Sequence, residues 1–557
     1  MLVLGDLING RARMKKLVLL IILLNVRAIA QWTADGVAIC DTSANASSDP
    51  LSQITSDGNG GAYICWRDLR VGNGYNVYAQ HIDRSGKQTW QNNGIPITTL
   101  SANENYPRIC SDGFGGAYVA WEDDRLSNTF VYAQRIDAEG GLRWAANGIK
   151  VAETPGIFIS MCSDGNGGLL IGWTPLTSVF VQRLDSLGNR CWGDSGVKVT
   201  NRPGTIWNGD VHVASDGTGG GFVIWSQGTY PVFRVFVQKF SNKGAILWPN
   251  NGILLSDTTY SAGTVFVAGD GKGGAIATWG SYDSTGRVQR VSSSGQILWT
   301  PKGVAIPGTY GGGNGRITSD SMGGAFVGYR AATNHLDSLG NKLWGDTGSM
   351  ISDITSLTNL VQVPDGQQGV WVFGELYPNN TGGFIYCQHT DRFGNRTLGN
   401  EGLPMTPGLT GNLPQEWPDA TTDDSGGAIV CWTDYRKSYG AIYAARVDSG
   451  GIVTYTPNLG MLVPPSPTLE QNFPNPFNPT TTIQYGLPTR SQVSLRIYNI
   501  LGQRVVDLVN AEQAAGYQSV VWNANVASGI YFYRIEAVSL ADPGKRFVDV
   551  KKMVLVR

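Results

Sequence analysis

A motif of the form Ser-Asp-Gly-x-Gly-Gly, followed by a short apolar run that ends in an aromatic residue, recurs along this chain of 557 residues. It limits the possible folds more than any other feature. A clear copy begins at Ser56 and reads SDGNGGAYICW, and later copies are weaker. The aspartates of the eight copies, spaced 45 to 58 residues apart, are Asp57, Asp112, Asp164, Asp216, Asp270, Asp320, Asp365 and Asp423. Such a period is typical of repeat architectures, in which each repeat is one small supersecondary unit.

Each repeat predicts four short antiparallel strands. Asp-Gly and Gly-Gly steps suit hairpin turns, since glycine adopts positive φ cheaply, so one strand leads into the turn and a second leaves it. The alternating segment that starts at Val131 predicts the third strand, and we expect the fourth in the segment ending at Trp144, before a turn that closes on Gly148. Four strands in about 50 residues form a propeller blade. We therefore expect an all-β chain with a propeller of about eight blades. Seven blades with a remnant, or an open β-solenoid, are the alternatives.

The repeated aspartates are predicted to be structural turn residues. Asp-Gly-Asn-Gly-Gly resembles a calcium loop, but the position of Asn59 is taken by Phe114 and Lys272 in other repeats. Neither side chain supplies the oxygen that calcium requires. An aspartate that caps its own turn explains every copy. We therefore expect no metal site here.

The sequence predicts no catalytic centre and no cofactor. Three of its four histidines, His81, His335 and His389, align with basic residues of the third strand in other repeats. We therefore interpret them as occupying one repeated polar position of the third strand. There is no histidine pair at metal-ligand spacing, no nucleophile elbow, no P-loop and no dinucleotide fingerprint. The turn resembles the Asp-box of sialidase propellers, but its serine and aspartate are adjacent. A propeller enzyme such as a glycoside hydrolase stays an alternative, and it would need two carboxylates about 5–9.5 Å apart.

Ligand-binding candidates come from an acidic-x-Arg tripeptide that follows the second-strand Trp in repeats one, two and eight. These residues are Asp68, Arg70, Asp123, Arg125, Asp434 and Arg436. The three repeats are neighbours if the ring closes, so one arc would present charged loops. The alternative is a surface turn salt bridge worth about 0–1 kcal/mol. Three loop aromatics, Trp207, Tyr230 and Tyr310, are further candidates, with core packing as their alternative.

Residues 1–30 read as a signal peptide, with the translation start at Met1 or Met14. A basic start precedes the apolar run Leu17 to Leu24, and Ala28-Ile29-Ala30 predicts a mature start at Gln31. An uncleaved signal anchor is the alternative. No later stretch is long enough to span a membrane as a helix, which needs about 20 apolar residues. A net charge of −1 argues against nucleic-acid binding.

The composition changes after the repeats, which we expect to fill residues 31–463. Residues 464–470 form a proline-rich linker, and residues 471–557 show six alternating segments that predict a small Ig-like β-sandwich. This last region resembles the type A C-terminal sorting domain of the type IX (Por) secretion system. The residues that carry the resemblance include Phe473, Pro474, Asn475, Pro476, Phe477, Asn478, Pro479, Gly502, Gly529, Tyr531, Lys551, Lys552 and Val554.

The resemblance implies a route and its partners. The chain would leave a Gram-negative cell through the type IX machinery, and a sortase-like protease of that system would remove the sorting domain near Pro464 to Asn472. The passenger would be secreted or attached to the outer cell surface. We expect it to be a non-catalytic binding module for a glycan or a surface protein. An extracellular propeller enzyme and a structural surface-layer protein are the alternatives.

Overall fold

The computed structural model describes two compact units, Met1–Thr456 and Pro457–Arg557. The described residues are 32–33, 35–41, 52–70, 74–256, 261–281, 285–307, 317–329, 332–352, 357–376, 383–407, 414–437, 440–453, 466–472, 474–513, 516–542 and 544–556. The predicted signal peptide, the first two residues of the predicted linker, Tyr310 and Phe473 lie outside these ranges. Within them the chain is all-β and contains no helix.

The first unit contains 32 strands among its described residues. In chain order they are β1 Val37–Cys40; β2 Gln53–Ser56, β3 Ala62–Asp68, β4 Asn76–Ile82, β5 Ile95–Pro96; β6 Glu104–Ser111, β7 Ala117–Asp123, β8 Phe130–Ile136, β9 Ile149–Lys150; β10 Ile157–Ser163, β11 Leu169–Thr174, β12 Phe180–Leu184, β13 Val197–Lys198; β14 Thr205–Ser215, β15 Gly221–Thr229, β16 Val232–Phe240, β17 Ile253–Leu254; β18 Ala262–Gly269, β19 Ala275–Ser281, β20 Thr285–Val291, β21 Val304–Pro307; β22 Ile317–Ser319, β23 Ala325–Tyr329, β24 Ala332–Leu336, β25 Ser349–Met350; β26 Leu357–Pro364, β27 Val370–Leu376, β28 Phe384–Thr390, β29 Leu403–Pro404; β30 Gln415–Thr422, β31 Ala428–Asp434 and β32 Ala441–Val447.

These strands form eight four-stranded antiparallel sheets. Sheets 1 to 7 each take four consecutive strands, starting with β2–β5 and ending with β26–β29. Sheet 8 consists of β30, β31 and β32 and is completed by β1 from the N-terminal end. The Ser-Asp-Gly turn of each repeat joins the first strand to the second, as the sequence predicts.

The succession of sheets closes on itself. The first strand of each sheet contacts the first strand of the next, and β30 of sheet 8 contacts β2 of sheet 1. At that junction the Ile54 amide donates to Asp419 Oδ2 at 3.2 Å, and Ser56 Oγ donates to Asp424 Oδ2 at 2.7 Å. The hydrophobic core lies between neighbouring sheets, where Trp121 of sheet 2 packs with Tyr63 of sheet 1. Each sheet therefore buries its faces against its two neighbours.

Strand β1 fills the place of the fourth strand in sheet 8. Val37 pairs with Ala444, and Ala38 pairs with Tyr443. Gly36 before it has φ 81°, and a Cβ there would lie 2.7 Å from the ring of Trp432. The Trp32/Gly36 signature that precedes the first repeat therefore belongs to the last sheet.

The predicted position of the fourth strand is wrong. The segment before the Trp forms only one isolated bridge, such as Ile82 with Gln88, because a tight turn after β4 brings the chain back for a single pair. The fourth strand follows the Trp/Gly turn instead, where Ile95 pairs with Ala79. The Trp itself links neighbouring sheets: the Trp90 indole N–H of sheet 1 donates to the Ala138 carbonyl of sheet 2 at 2.9 Å.

The second unit holds two sheets around one core. Its strands are β33 Thr468–Leu469, β34 Thr480–Leu487, β35 Ser491–Asn499, β36 Arg504–Gln513, β37 Gly516–Asn523, β38 Gly529–Ser539 and β39 Arg546–Leu555. One sheet has the order β33-β34-β37 and the other β36-β35-β38-β39. Both sheets contribute to the same buried cluster, with Ile483 from one and Leu495 from the other. The six predicted strands are present, each slightly longer than its sequence pattern indicates.

Candidate functional site

The eight sheets of the first unit have two distinct ends. At one end, here called the turn end, lie the Ser-Asp-Gly turns. At the opposite end the first strand starts, the second strand stops, and the loops between second and third strands project. The first strands are distorted at this opposite end, which is here called the bulge end.

Among the described residues, a β-bulge interrupts the first strand in six of the eight sheets. In sheet 2 the register shifts between Asn105 and Arg108, and in sheet 8 between Glu416 and Asp419. One residue of each bulge has a positive φ although it is not glycine: Tyr106 (51°), Phe158 (56°), Asn208 (42°), Thr264 (53°), Asn359 (50°) and Trp417 (57°). A bulky residue in this region of backbone space is unusual and persists only where its surroundings enforce it. Functional sites are where such strain concentrates.

Acidic side chains from the preceding sheet hold several of these bulges in place. The Phe158 amide donates to Glu122 Oε1 at 2.7 Å, and the Trp417 amide donates to Glu375 Oε1 at 2.5 Å. The Thr264 amide donates to Asp210 Oδ2 at 2.5 Å. Carboxylate acceptors make strong hydrogen bonds. The unusual backbone is therefore fixed by its neighbour rather than by the local sequence.

Three bulge aromatics expose much of their surface. The exposed fractions are 43% for Tyr106, 40% for Phe158 and 42% for Trp417. The ring of Phe158 covers Gly209 in the next bulge, where a Cβ would lie 2.0 Å from the ring. The Arg67 guanidinium lies 5.6 Å from the Tyr106 ring centroid. Phe158 and Tyr106 thus contact a neighbouring sheet while remaining partly open to solvent.

The acidic groups of the bulge end are strongly perturbed by burial. Desolvation raises the pKa of Glu122 to about 7, against the hydrogen bond from the Phe158 amide. Burial likewise raises the pKa of Asp210 to about 6. Glu104 accepts hydrogen bonds from Asn76 and Thr98, yet desolvation raises its pKa to about 7. These carboxyls bond to the protein itself, so their first role is to hold the strands.

The predicted ligand residues of the acidic-x-Arg tripeptide lie at the same end, and the structure places each pair inside its own sheet. Asp123 is fully buried, and it accepts from the Trp121 indole N–H at 2.8 Å and from Arg125 Nε at 2.7 Å. The Arg125 guanidinium lies 3.9 Å from the Tyr132 ring centroid. Each Asp–Arg–Tyr group is therefore compensated internally, and direct ligand binding by it stays a prediction.

The same arrangement recurs in sheets 1 and 8. Asp68 and Asp434 are fully buried and accept from Trp66 and Trp432 at 3.2 and 2.9 Å. Arg70 and Arg436 pair with these carboxylates and lie 3.9 and 3.8 Å from the ring centroids of the tyrosines Tyr78 and Tyr443. Sheets 8, 1 and 2 follow one another around the closed succession, so the three groups share one arc of the bulge end.

At the turn end, the repeated aspartates bond their own turns. Asp57 Oδ1 accepts from the amides of Asn59 and Gly61 at 2.7 and 2.9 Å, and its Oδ2 bonds His81 Nε2 at 2.8 Å. In four other repeats the aligned residue of the third strand is an arginine that pairs with the turn aspartate, as Arg135 does with Asp112. The amide two residues on donates in the same way to Asp112, Asp164, Asp216, Asp270, Asp320, Asp365 and Asp423. Three of the four histidines, His81, His335 and His389, thus pair with turn aspartates.

The two described loop-aromatic candidates differ in exposure. Tyr230 lies at the bulge end in the β15–β16 loop and is 81% exposed. Trp207 lies within β14 rather than in a loop, which corrects the prediction, and it is half-buried, with its ring 4.7 Å from that of Phe233. Sequence reasoning missed Tyr106, Phe158 and Trp417, although Tyr106 and Trp417 each precede a proline at the start of a strand.

In the second unit, the two ends of the predicted sorting signal meet. Asn475 Oδ1 accepts from the Val554 amide at 2.8 Å, and the Phe477 amide donates to the Val554 carbonyl at 2.9 Å. Phe477 is buried with its ring 5.5 Å from that of Trp522, which also contacts Tyr531.

The remaining described signal residues occupy turns and strands. Asn475 Nδ2 also donates to the Lys552 carbonyl at 3.4 Å, and Gly502 closes the β35–β36 turn with φ 76°. Pro474, Pro476, Asn478 and Pro479 line the approach to β34, Gly529 begins β38, and Lys551 lies in β39.

Among the described residues, no cluster of three histidine, cysteine or acidic side chains has the geometry to hold a metal ion. None of those residues builds a helix of the length and apolar character that crossing a membrane requires.

Comparison with curated proteins finds no match. Among solved structures, a puromycin hydrolase mutant complexed with PGG is 10% identical, with a TM-score of 0.39 over 73% of this chain and 62% of that one. A Mycobacterium tuberculosis puromycin-hydrolyzing peptidase is 12% identical, with a TM-score of 0.37 over 82% and 62%. A Penicillium chrysogenum alpha-L-arabinanase is 13% identical, with a TM-score of 0.33 over 55% and 96%.

The chain thus spans less than two thirds of the length of the puromycin-hydrolyzing structures, and similarity this low carries no conclusion about activity. The family comparison concerns the second unit, where the sequence resemblance and the hydrogen-bonded signal residues lie. Residues 471–548 match the family model of the secretion system C-terminal sorting domain, and the protein therefore carries at its C-terminus a domain that indicates export, with secretion or attachment to the cell surface.

Proposed function

We propose that this protein is an exported, non-catalytic binding module whose bulge end is the binding face. The observation that carries the proposal is the set of bulges in which exposed aromatic residues are held at positive φ by buried acids of the neighbouring sheet. Strain of this kind costs about 1–3 kcal/mol per residue. Packing of the sheets does not require aromatic side chains there, since Asn208 and Thr264 occupy the same position in other sheets.

The architecture we propose for it is an eight-bladed propeller at residues 31–463, followed by a linker at 464–470 and an Ig-like sorting domain at 471–557. The eight four-stranded sheets, their closed succession and the completion of sheet 8 by β1 support the propeller. Propellers bind their ligands through loops at one end of the ring. A signal peptide at 1–30 and the type IX machinery with its sortase-like protease complete the route, which the sorting domain supports.

A binding role accounts for the acids at this face better than catalysis does. Glu122 and Glu375 are buried and accept hydrogen bonds from backbone amides of the next sheet. A glycoside hydrolase would instead need two carboxylates that both face the substrate. The ligand is a glycan or a protein of the cell surroundings.

Mass analysis tests the export route. Intact protein is recovered from the medium and from the outer-membrane fraction of producing cells. We expect a species that begins at Gln31 and ends between Pro464 and Asn472. A cell-associated species that still starts before Gln31 and retains Arg557 would contradict the route.

The binding face is tested separately. The purified full chain and a Trp417→Asn variant are compared in pull-downs from extracellular and cell-surface material, and on glycan arrays. Partners retained by the parent chain and lost by the variant support the face. Partners retained equally by both would contradict it.

A further inference from the structure

The bulge end carries a chemical signature for one class of ligand. Its aromatic arc consists of Trp417 in sheet 8, Tyr75 in the loop of sheet 1, Tyr106 in sheet 2 and Phe158 in sheet 3. Three of these rings are at least 40% exposed, and Tyr75 is half-buried. The four rings come from four successive sheets of the closed succession.

Three charged groups beside the arc, Arg67, Glu122 and Glu375, already have hydrogen-bond partners within the protein. The Arg67 guanidinium donates to Asn105 Oδ1 at 3.0 Å and lies 4.5 Å from the Tyr75 ring centroid. Glu122 accepts from the Phe158 amide, as described above. Glu375 also binds its own sheet, accepting from Thr358 Oγ1 at 3.0 Å. An ionic ligand would have to displace these bonds, whereas a neutral ligand would leave them intact.

The spacing of the rings argues against a compact or continuous apolar ligand. Each ring stands on a different sheet, and sheets packed face to face lie on the order of 10 Å apart. A polar amide lies near two of these rings: Asn105 Oδ1 accepts from Arg67, whose guanidinium lies 4.5 and 5.6 Å from the ring centroids of Tyr75 and Tyr106. Separate aromatic surfaces with polar groups between them suit a ligand that alternates C–H faces with hydroxyl groups.

We infer that the aromatic arc binds a neutral polysaccharide chain laid across sheets 8, 1, 2 and 3. Sugar rings would stack on the exposed faces of Trp417, Tyr106 and Phe158, while amide side chains bond the hydroxyls. Contact with two rings requires a chain longer than one sugar unit. Because the backbone beneath Phe158 and Trp417 is fixed by an acid of the preceding sheet, little ordering is needed there on binding. This inference rests on the proposed binding role and names its ligand class.

The test is affinity electrophoresis of the full chain in native gels. The probes are hydroxyethylcellulose, galactomannan and arabinoxylan as neutral polymers, with heparin as the anionic one. We expect at least one neutral polymer to retard the protein and heparin to leave it unretarded.

Two variants locate the site. Phe158→Asn and Trp417→Asn install the residue that sheets 4 and 7 carry at the same bulge position, as Asn208 and Asn359, so the backbone can keep its positive φ. Each is expected to weaken retardation roughly tenfold, the loss of one stacked ring. Phe393→Ala removes an aromatic at the turn end that is 67% exposed, and is expected to leave retardation unchanged.

Each other outcome overturns a stated part. If no neutral polymer retards the parent chain, the carbohydrate assignment falls. If a neutral polymer retards the asparagine variants as strongly as the parent, the aromatic arc is not its site. If heparin or a purified surface protein binds instead, and the asparagine variants lose that binding, the binding face stands and the ligand class is wrong.

Discussion

The buried aspartate of the acidic-x-Arg tripeptide is the sharpest point at which to test the energetics of the first unit. Asp123→Ala removes the acceptor of the Trp121 indole N–H and the partner of Arg125. Trp121 and Asp123 are both fully buried, while the Arg125 side chain is 19% exposed. The indole N–H would have no acceptor and no access to water, whereas the guanidinium can be partly rehydrated.

The magnitude follows from these exposures. An unsatisfied buried donor costs about 1–3 kcal/mol, and loss of the partner of a largely buried charge adds roughly 1–2 kcal/mol, below the full cost of a buried pair because Arg125 reaches solvent. We expect Asp123→Ala to destabilise the protein by about 3 kcal/mol in all. Asp123→Asn keeps an oxygen for the indole and is expected to cost about half of that.

The assay is equilibrium unfolding in urea, followed by tryptophan fluorescence, of the full chain and its variants. Asp346→Ala is the matched control, because Asp346 is 97% exposed and pairs with Lys342 at 3.4 Å. Its expected cost is about 0–1 kcal/mol. If Asp123→Ala costs no more than this control, the tripeptide is only a surface salt bridge and the reasoning from burial is refuted.

Two further predictions concern pH. Burial raises the pKa of Glu122 to about 7, so its contribution to stability is fully present below about pH 4.5 and is lost as pH rises through 7. Glu122→Gln, which can still accept from the Phe158 amide, should therefore melt at a higher temperature than the parent at pH 8 and at the same temperature at about pH 4. The turn carboxyls behave in the opposite sense: burial opposes ionisation of Asp57 and Asp365, but hydrogen bonds from His81 and His389 and from turn amides lower the pKa of both below 3.8. The contribution of these carboxyls to stability is present above about pH 4 and is lost as pH falls through the lowered pKa. A double variant, His81→Gln with His389→Gln, should therefore lose less stability than the parent between pH 5 and pH 3, as measured by thermal unfolding. An equal loss in both proteins would contradict the pairing.

Much of the local fold could be read from the sequence because its determinants are local. The Ser-Asp-Gly turn needs a capping carboxylate and glycines at positive φ, and Gly58 and Gly60 adopt φ of 76° and 88°. The alternating segments of the second unit predict strands because one face of each is buried, as in Ser491–Asn499. The position of the fourth strand cannot be read from the sequence because this strand is only two to four residues long and carries no pattern of its own.

The bulge end could not be predicted in the same way. Tyr106, Phe158 and Trp417 share no motif, and the acids that hold their strands come from a neighbouring sheet. Glu122 and Phe158 are 36 positions apart and meet only once two sheets have packed. The ligand candidates of the tripeptide were chosen for charge, whereas the structure shows that charge compensated by Trp, Tyr and backbone groups.

The completion of sheet 8 by β1 has a consequence for how the chain matures. Arg436 donates to the Asp35 carbonyl across 401 positions of sequence. The pairing of β1 with β32 therefore forms only when both ends of the first unit are present. Closing so long a loop costs only roughly 2 kcal/mol more than closing one of a single repeat, because the entropy grows with the logarithm of length. A truncated or stalled chain would leave β32 as an open sheet edge, a form that proteases and other strands recognise. We therefore expect the chain to gain its full resistance to proteolysis only after β1 has paired with β32.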